Sequence, residues 1–384
     1  MGKTALVLGG GVGGIVSANR LRQRLPRDHR IVLFEGAPDH VFAPSLLWVA
    51  IGDRQAAEIR SPLSRLLRGG IEIVRARVNR MDPQERTVEA GGRQFVGDAI
   101  IIALGADLVP HAIPNLESAG FNLYSLDGAL ALREALKSSR GGRITVMTAE
   151  PVYKCPAAPY EAAMLIEYDC RRRGVRSDVV IEVFAAEPGP MGVAGPAVSG
   201  AVKNMLQAKG IGYYPEHQIE TVDPAMRRLT FKNGATADYD LLVYVPPHRA
   251  PGVVVDAGMA AAGGWIPVDR RTLETAYPGV YAIGDIATIP LSLGKPLPKA
   301  GAFAHGEAKV AADNVVHAWT QRGLAASFNG YGTCFVETGD GKAAIGSGDF
   351  YAEPVPDIKL RGPSWLWHTG KVLFERNWLR RWTG

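Results

Sequence analysis

Continuous apolar runs, rather than alternating ones, mark out this chain. "ALVLGG" (5–10), "HRIVLFEG" (29–36), "GDAIIIALGA" (97–106), "GRITVMT" (142–148) and "TAYPGVYAIGD" (275–285) are short, rich in Val, Ile and Leu, and mostly close on a small-residue turn. Buried parallel strands read this way, because both of their faces are covered by helices. Helical stretches follow several of them, notably "IVSANRLRQ" (15–23) and "PYEAAMLIEYDCRRRG" (159–174). Strand then helix, repeated, predicts an α/β protein with parallel sheets. At the far end, Phe374, Trp378 and Trp382 recur at i, i+4 and i+8, one stripe of a helix, with Arg376 and Arg380 pointing elsewhere and Lys371 and Arg381 flanking it.

The first strand runs into Gly9, Gly11 and Gly14 as G-x-G-x-x-G and then a helix, and the second ends on Glu35. Glycines there permit a tight turn and let backbone N–H groups and the helix start approach a pyrophosphate, while the acid accepts from a ribose hydroxyl. A second unit begins with the strand at 142–148, but the turn after it is "AEPVYKCPAAP". It has no glycine, and Pro151, Pro156 and Pro159 remove donors and fix φ. The expectation is a second dinucleotide-type domain without a working NAD(P)H cradle, and with Cys155 where the cradle would be.

Composition narrows the class. With 384 residues, 47% hydrophobic and 21% charged, the chain is an ordinary globular sequence for two interleaved domains and an extension. A net charge of +5 from scattered Arg and Lys gives no nucleic-acid footprint. No apolar run reaches the roughly 18 residues of a membrane span, and because "MGKTALVLGG" runs straight into a strand and its glycine turn, no export signal is expected. Three cysteines, Cys155, Cys170 and Cys334, lack metal spacing, and the histidines are dispersed, so no metal is expected.

Taken with these motifs, "GDAIIIALGA" and "TAYPGVYAIGD" resemble further signatures of FAD-dependent two-dinucleotide-fold disulfide reductases, implying FAD contacts at Ala103, Gly105, Gly284 and Asp285. More specifically, "KCPAAPYEAAML" (154–165), "FAPSLLWVAIG" (42–52), "PLPKAGAFAHGEAKVAADNV" (296–315), "GYGTCFVETGDGKAAIG" (330–346) and "WLWHTGKVLFERNWLRRW" (365–382) resemble the sulfide:quinone oxidoreductase and flavocytochrome c sulfide dehydrogenase family, two-cysteine type. The resemblance implies two Rossmann-like domains: FAD binding by 1–110 and 246–325, a second domain at 111–245, and a C-terminal segment at 326–384. It implies a redox disulfide between Cys155 and Cys334, attacked by sulfide, with two electrons passing through FAD to a membrane quinone and the sulfur leaving to sulfide, a thiol or a similar acceptor. Which cysteine carries the sulfur stays open. Some relatives carry a further cysteine before the second domain; "NLESAGFNLYSLDG" (115–128) has none, so FAD is expected to bind non-covalently.

Glu161 then reads as proton acceptor or as a first-turn acid complementing its helix dipole, and Lys299 as a cation beside the flavin pyrimidine, contributing to both cofactor binding and catalysis. Cys170 reads as a packing thiol. Trp48, Phe335, Phe350 and Tyr351 are candidates to line a quinone slot or to serve as core aromatics. Four Trp within residues 365–382 favour a helix lying in lipid headgroups over one folded on the core. The whole is a peripheral, monotopic protein on the cytoplasmic side, with homo-oligomerisation left open. Three other readings stand beside it: a sulfide dehydrogenase with a cytochrome acceptor, a type II NADH:quinone oxidoreductase, and a non-catalytic flavin sensor.

Overall fold

A computed structural model describes residues 2–380. Its centre is a five-stranded parallel sheet formed, in spatial order, by Val280–Ala282, Ala99–Ile102, Thr4–Leu8, Arg30–Phe34 and Glu72–Val74. The strand Ala99–Ile102 is buried along its whole length, as its unbroken apolar sequence requires. The helices Val12–Arg24 and Gly301–Thr320 pack against one another, tied by a bidentate Arg20–Asp313 pair at 2.8 Å. Gly9 has φ +103°, a left-handed conformation that a side chain rarely adopts, and a Cβ at Gly14 would lie 1.8 Å from the Gly9 carbonyl oxygen. Those two positions let the first strand turn directly into its helix.

A second five-stranded parallel sheet takes the order Phe121–Asn122, Leu241–Val245, Gly142–Thr148, Val179–Phe184 and Gly212–Tyr214. Chain continuity is interleaved: the strand Val280–Ala282 returns to the first sheet after the second is complete. Each sheet carries a three-stranded antiparallel appendage, at 78–96 and 219–238. The fold is the α/β architecture with parallel sheets that the apolar runs predict, in the two Rossmann-like domains that the resemblance implies.

The last part adds a three-stranded antiparallel sheet, Tyr331–Gly339, Lys342–Asp349 and Asp357–Ser364, and the helix Trp365–Arg380. This helix is folded back on the protein. Glu375 accepts from Ser45 Oγ at 2.5 Å and from the Arg54 guanidinium at 2.9 Å, and Trp378 Nε1 donates to His40 Nε2 at 2.9 Å. Two expectations are corrected here. Trp378, read as part of an exposed membrane stripe, is 1% exposed and packs on His40 and Phe42. Lys371, read as a flanking surface cation, is buried. Phe374, from the same expected stripe, is exposed, together with Trp365, Leu366 and Leu373. Trp382 lies outside the described residues. Among those described, no helix is long and apolar enough to cross a membrane.

Candidate active site

Two elements distant in sequence bring the cysteines under the same pair of charges. Cys155 closes the proline-rich loop just before the helix Ala158–Arg172, with φ +50°. For a non-glycine residue this left-handed conformation costs on the order of 1–3 kcal/mol unless its surroundings hold it. They do hold it: Cys155 N donates to the Lys299 carbonyl at 2.6 Å, and its own carbonyl accepts from Ala158 N at 3.0 Å and Tyr124 Oη at 3.1 Å. Cys334 sits within the strand Tyr331–Gly339, opposite Gly346. That strand packs along the Cys155 helix, and Glu337 N donates to Glu161 Oε1 at 2.8 Å.

Glu161 is 3% exposed, and Lys371 Nζ from the C-terminal helix donates to its Oε1 at 3.1 Å while lying 3.8 Å from Glu337 Oε1. Lys371 also stands 4.8 Å from the Trp48 ring centre. Burial raises the Glu161 carboxyl above its ordinary range, against the pull of Lys371. The two thiols respond to the same field. Burial and then the Glu161 carboxylate push Cys155 up to about 12, with Cys334 adding to the rise and Lys371 opposing it. Burial and Glu161 likewise push Cys334 up to about 11. Both sulfurs are free in the structure, a dithiol that keeps its protons at neutral pH. Cys170 is fully buried, with Arg173 Nη2 at 3.7 Å.

Lys299 lies on the approach to the helix Gly301–Thr320, 5% exposed. Its Nζ donates to the carbonyls of Asp285 at 2.6 Å and Ala287 at 3.1 Å, and rests 3.7 Å from the Trp265 ring centre. Burial lowers it to about 8, against the attraction of Asp285 and Glu307. Glu307, within that same helix, accepts from Gly284 N at 2.6 Å, and burial lifts its carboxyl to about 7. Asp285 is likewise raised by burial, with Lys154 and Lys299 opposing.

The residues fit a dinucleotide at the first sheet. Gly11 caps the helix Val12–Arg24 without a side-chain bond, no acid occupies the first turn, and a Cβ at Gly11 would meet nothing within 4 Å, so the helix start is left for a phosphate to approach. Glu35 accepts from Gly10 N and Ala37 N, each at 2.8 Å, at the end of the second strand. Ala103 and Gly105 follow the strand Ala99–Ile102 beside Gly9. The second sheet is built differently. Glu187, after the strand Val179–Phe184, is 8% exposed and accepts from Thr148 Oγ1 at 2.8 Å, Tyr160 Oη at 2.5 Å and Tyr153 Oη. The chain's own hydroxyls fill the place where an acid would otherwise meet a ribose.

Of the aromatic candidates, Phe335 lies under the C-terminal helix, where a Cβ at Gly370 would be 3.7 Å from its ring, and Trp48 is buried between Arg54 and Lys371. Phe350 packs edge-on against Phe303 in the core, while Tyr351 meets Phe328 edge-on, lies under the Arg270 guanidinium and donates to the Arg270 carbonyl at 2.7 Å. Sequence reasoning missed Lys371, Glu337, His368, Glu307, Glu187 and Tyr124. A signal did exist for Glu337: a carboxylate in the apolar strand "CFVETG", three residues after a cysteine.

The pattern of the family described as pyridine nucleotide-disulphide oxidoreductase matches residues 3–308. A protein named sulfide-quinone reductase from Aquifex aeolicus is 27% identical over 99% of this chain and 91% of its own length. The mitochondrial sulfide:quinone oxidoreductase of Mus musculus is 26% identical over 91% of this chain and 79% of its own. In fold, the crystal structure of the Aquifex aeolicus sulfide:quinone oxidoreductase superposes with a TM-score of 0.87 at 24% identity, over 98% of this chain and 91% of that one.

Proposed function

Because this chain belongs to the pyridine nucleotide-disulphide oxidoreductase family, we infer that it is a flavin enzyme of the sulfide:quinone oxidoreductase kind, with FAD held non-covalently. The observation that carries the reading is the convergence of Cys155 and Cys334, from two distant segments, on the Glu161–Lys371 pair. Relatives of that name match nearly the whole chain and support it. The second cradle supports it too, since its glycines are absent and Glu187 is occupied by Thr148, Tyr153 and Tyr160.

Protein thiols lifted this far are poor nucleophiles, so the attacking group is hydrosulfide and the oxidised cysteine pair is its target. Its sulfur bonds to one cysteine as the Cys155–Cys334 bond breaks, leaving a persulfide on one side and a thiolate on the other. Glu161 takes the proton of the bound sulfur, and Lys371 balances the negative charge. Bound flavin supplies the two-electron acceptor and its reoxidation by quinone. Gly9, Gly11 and Gly14 would hold its pyrophosphate, Glu35 its adenosine ribose and Asp285 its ribitol, with Ala103, Gly105 and Gly284 giving backbone approach and Lys299 a cation near the ring. We assign these contacts to residues 1–110 and 246–325, the cysteine loop to 111–245, and the second cysteine and helix to 326–384.

The exposed Trp365, Leu366, Leu373 and Phe374 suit contact with a membrane surface on the cytoplasmic side, beside Phe335 and Trp48 under the same helix. Anaerobic titration tests the reading: sulfide should bleach the flavin and NADH should leave it oxidised. The opposite result overturns it. Decylubiquinone should reoxidise the reduced enzyme faster than cytochrome c does.

A further inference from the structure

The Glu161–Lys371 pair does not end at Lys371. Glu337 is 1% exposed, and its Oε2 lies 2.9 Å from Nδ1 of His368, one turn before Lys371 on the C-terminal helix. The His368 side chain is 29% exposed and leans edge-on against Trp48. Four titratable groups thus form one row from the cysteines to the surface: Glu161, Lys371, Glu337 and His368. Their separations are 3.1, 3.8 and 2.9 Å.

A purely structural ion-pair cluster satisfies its buried atoms. This one does not: Glu337 Oε1 is buried without a hydrogen-bond partner, facing the Lys371 ammonium across the 3.8 Å gap. The charges of the row come from three elements. The Cys155 helix contributes Glu161, the strand of Cys334 contributes Glu337, the C-terminal helix contributes Lys371 and His368, and the helix Leu46–Ala50 contributes only the uncharged Trp48. Arg54 and Glu375, one turn on, neutralise each other at 2.9 Å. With His368 neutral the row carries one cation between two carboxylates, an excess negative charge that one mobile proton cancels.

We propose that Glu337 and His368, coupled through Lys371, form the exit by which the proton released at the cysteines reaches the surface of the C-terminal helix. The proposal rests on the sulfide-oxidising reading. Oxidation of hydrosulfide to sulfane sulfur gives up two electrons and one proton, and that proton arrives on Glu161. The Lys371 ammonium passes a proton to Glu337 Oε1 as it takes one from Glu161. Rotation of the Glu337 carboxyl carries that proton to the His368 side, Nδ1 takes it as the proton on the other ring nitrogen leaves to water, and a turn of the imidazole resets the tautomer. Glu337 and His368 touch no reacting atom; they act through Lys371 and Glu161.

Stopped-flow reduction of the full-length, FAD-loaded protein by sulfide tests this, with quinone oxidation of the dithionite-reduced protein as the control half-reaction. His368→Gln and Glu337→Gln should slow flavin reduction roughly tenfold or more, the scale of a lost proton-transfer group, while quinone oxidation stays unchanged. His368→Ala should be slow in the same way and should recover with added imidazole, a response that a merely structural role does not give. Phenol red should report the released proton later in the variants than in wild type. Reduction within about twofold of wild type, or an imidazole-insensitive His368→Ala, overturns the exit. If sulfide fails to reduce the wild type, the functional reading falls and the exit falls with it; if it reduces wild type and variants alike, only the exit falls.

Discussion

Replacing Lys371 with methionine should destabilise the protein in a way that depends on pH, and the dependence is worked out from the buried charges. Methionine keeps most of the side-chain volume against Trp48 but removes the ammonium 3.1 Å from Glu161 and 3.8 Å from Glu337. Two buried carboxylates, 3% and 1% exposed, are then left without their shared cation. Removing one partner of a buried ion pair costs about 3–5 kcal/mol when the remaining charge stays ionised. It need not stay ionised, because burial already raises the Glu161 carboxyl and loss of Lys371 raises it further.

A carboxyl whose folded pKa lies above its unfolded one binds an extra proton on folding between those two values. Stability in that window falls as pH rises, by about 1.4 kcal/mol per pH unit for one proton. The deficit of Lys371→Met should therefore be small near pH 5 and grow toward about 3–5 kcal/mol at pH 8 or above. Lys371 itself, raised in the wild type, titrates above this range and does not interfere. Urea midpoints followed by tryptophan fluorescence from pH 5 to 8.5 read the difference. Adding Glu161→Gln to Lys371→Met should restore part of the loss at pH 8 and flatten the profile. A deficit that is constant across pH, or a double variant no better than the single, would refute the electrostatic account.

Further outcomes follow from the same geometry. Cys334→Ser should retain FAD but lose flavin reduction by sulfide; unchanged bleaching would remove the disulfide mechanism. Lys299→Met should lower the flavin midpoint potential by about 30 mV or more, equivalent to roughly 1.4 kcal/mol for two electrons, as read by potentiometric dye titration; an unchanged potential would place the ammonium's influence on Asp285 and Ala287 alone. Glu307→Gln should remove the fall in apoprotein stability between the carboxyl's ordinary 4.5 and its raised value of about 7, because the folded state binds the extra proton there. Trp365→Ala with Phe374→Ala should weaken co-sedimentation with liposomes and leave the urea midpoint almost unmoved, whereas Trp378→Ala should cost about 3–5 kcal/mol of stability; equal effects in the two assays would erase the distinction between the exposed and buried faces.

The parallel sheets were legible because strands buried on both faces carry unbroken apolar runs, and each of "ALVLGG", "GDAIIIALGA" and "GRITVMT" became a strand where its run lies. The glycine turn was legible for a similar reason: few residues tolerate what Gly9 and Gly14 do. The C-terminal helix misled because periodicity gives a face but not what covers it. Trp378 and Lys371 share turns with the exposed Phe374 and Leu373, and only the tertiary partners His40, Glu161 and Glu337 decide which residues turn inward. The charge network was not legible in a single sequence: Glu337 showed only as a carboxylate in an apolar strand and His368 not at all, because their partners are 176 and 31 positions away in bonds that have no local pattern.

Glu187 explains how one fold could exchange its electron donor. A nucleotide-binding second sheet needs a glycine turn open to phosphate and an acid open to ribose. Here the turn is occupied by prolines, and Tyr153 and Tyr160, which stand on either side of Cys155, both donate to the acid. The same bonds that close the nucleotide place therefore brace the loop that carries the cysteine. Tyr124 and the Lys299 carbonyl brace it from the other side, at 3.1 and 2.6 Å. The left-handed backbone at Cys155 persists because both flanks are held, so glycines restored to this turn would loosen the cysteine before they gained a phosphate. Closing one site and fixing the other are a single structural event in this loop.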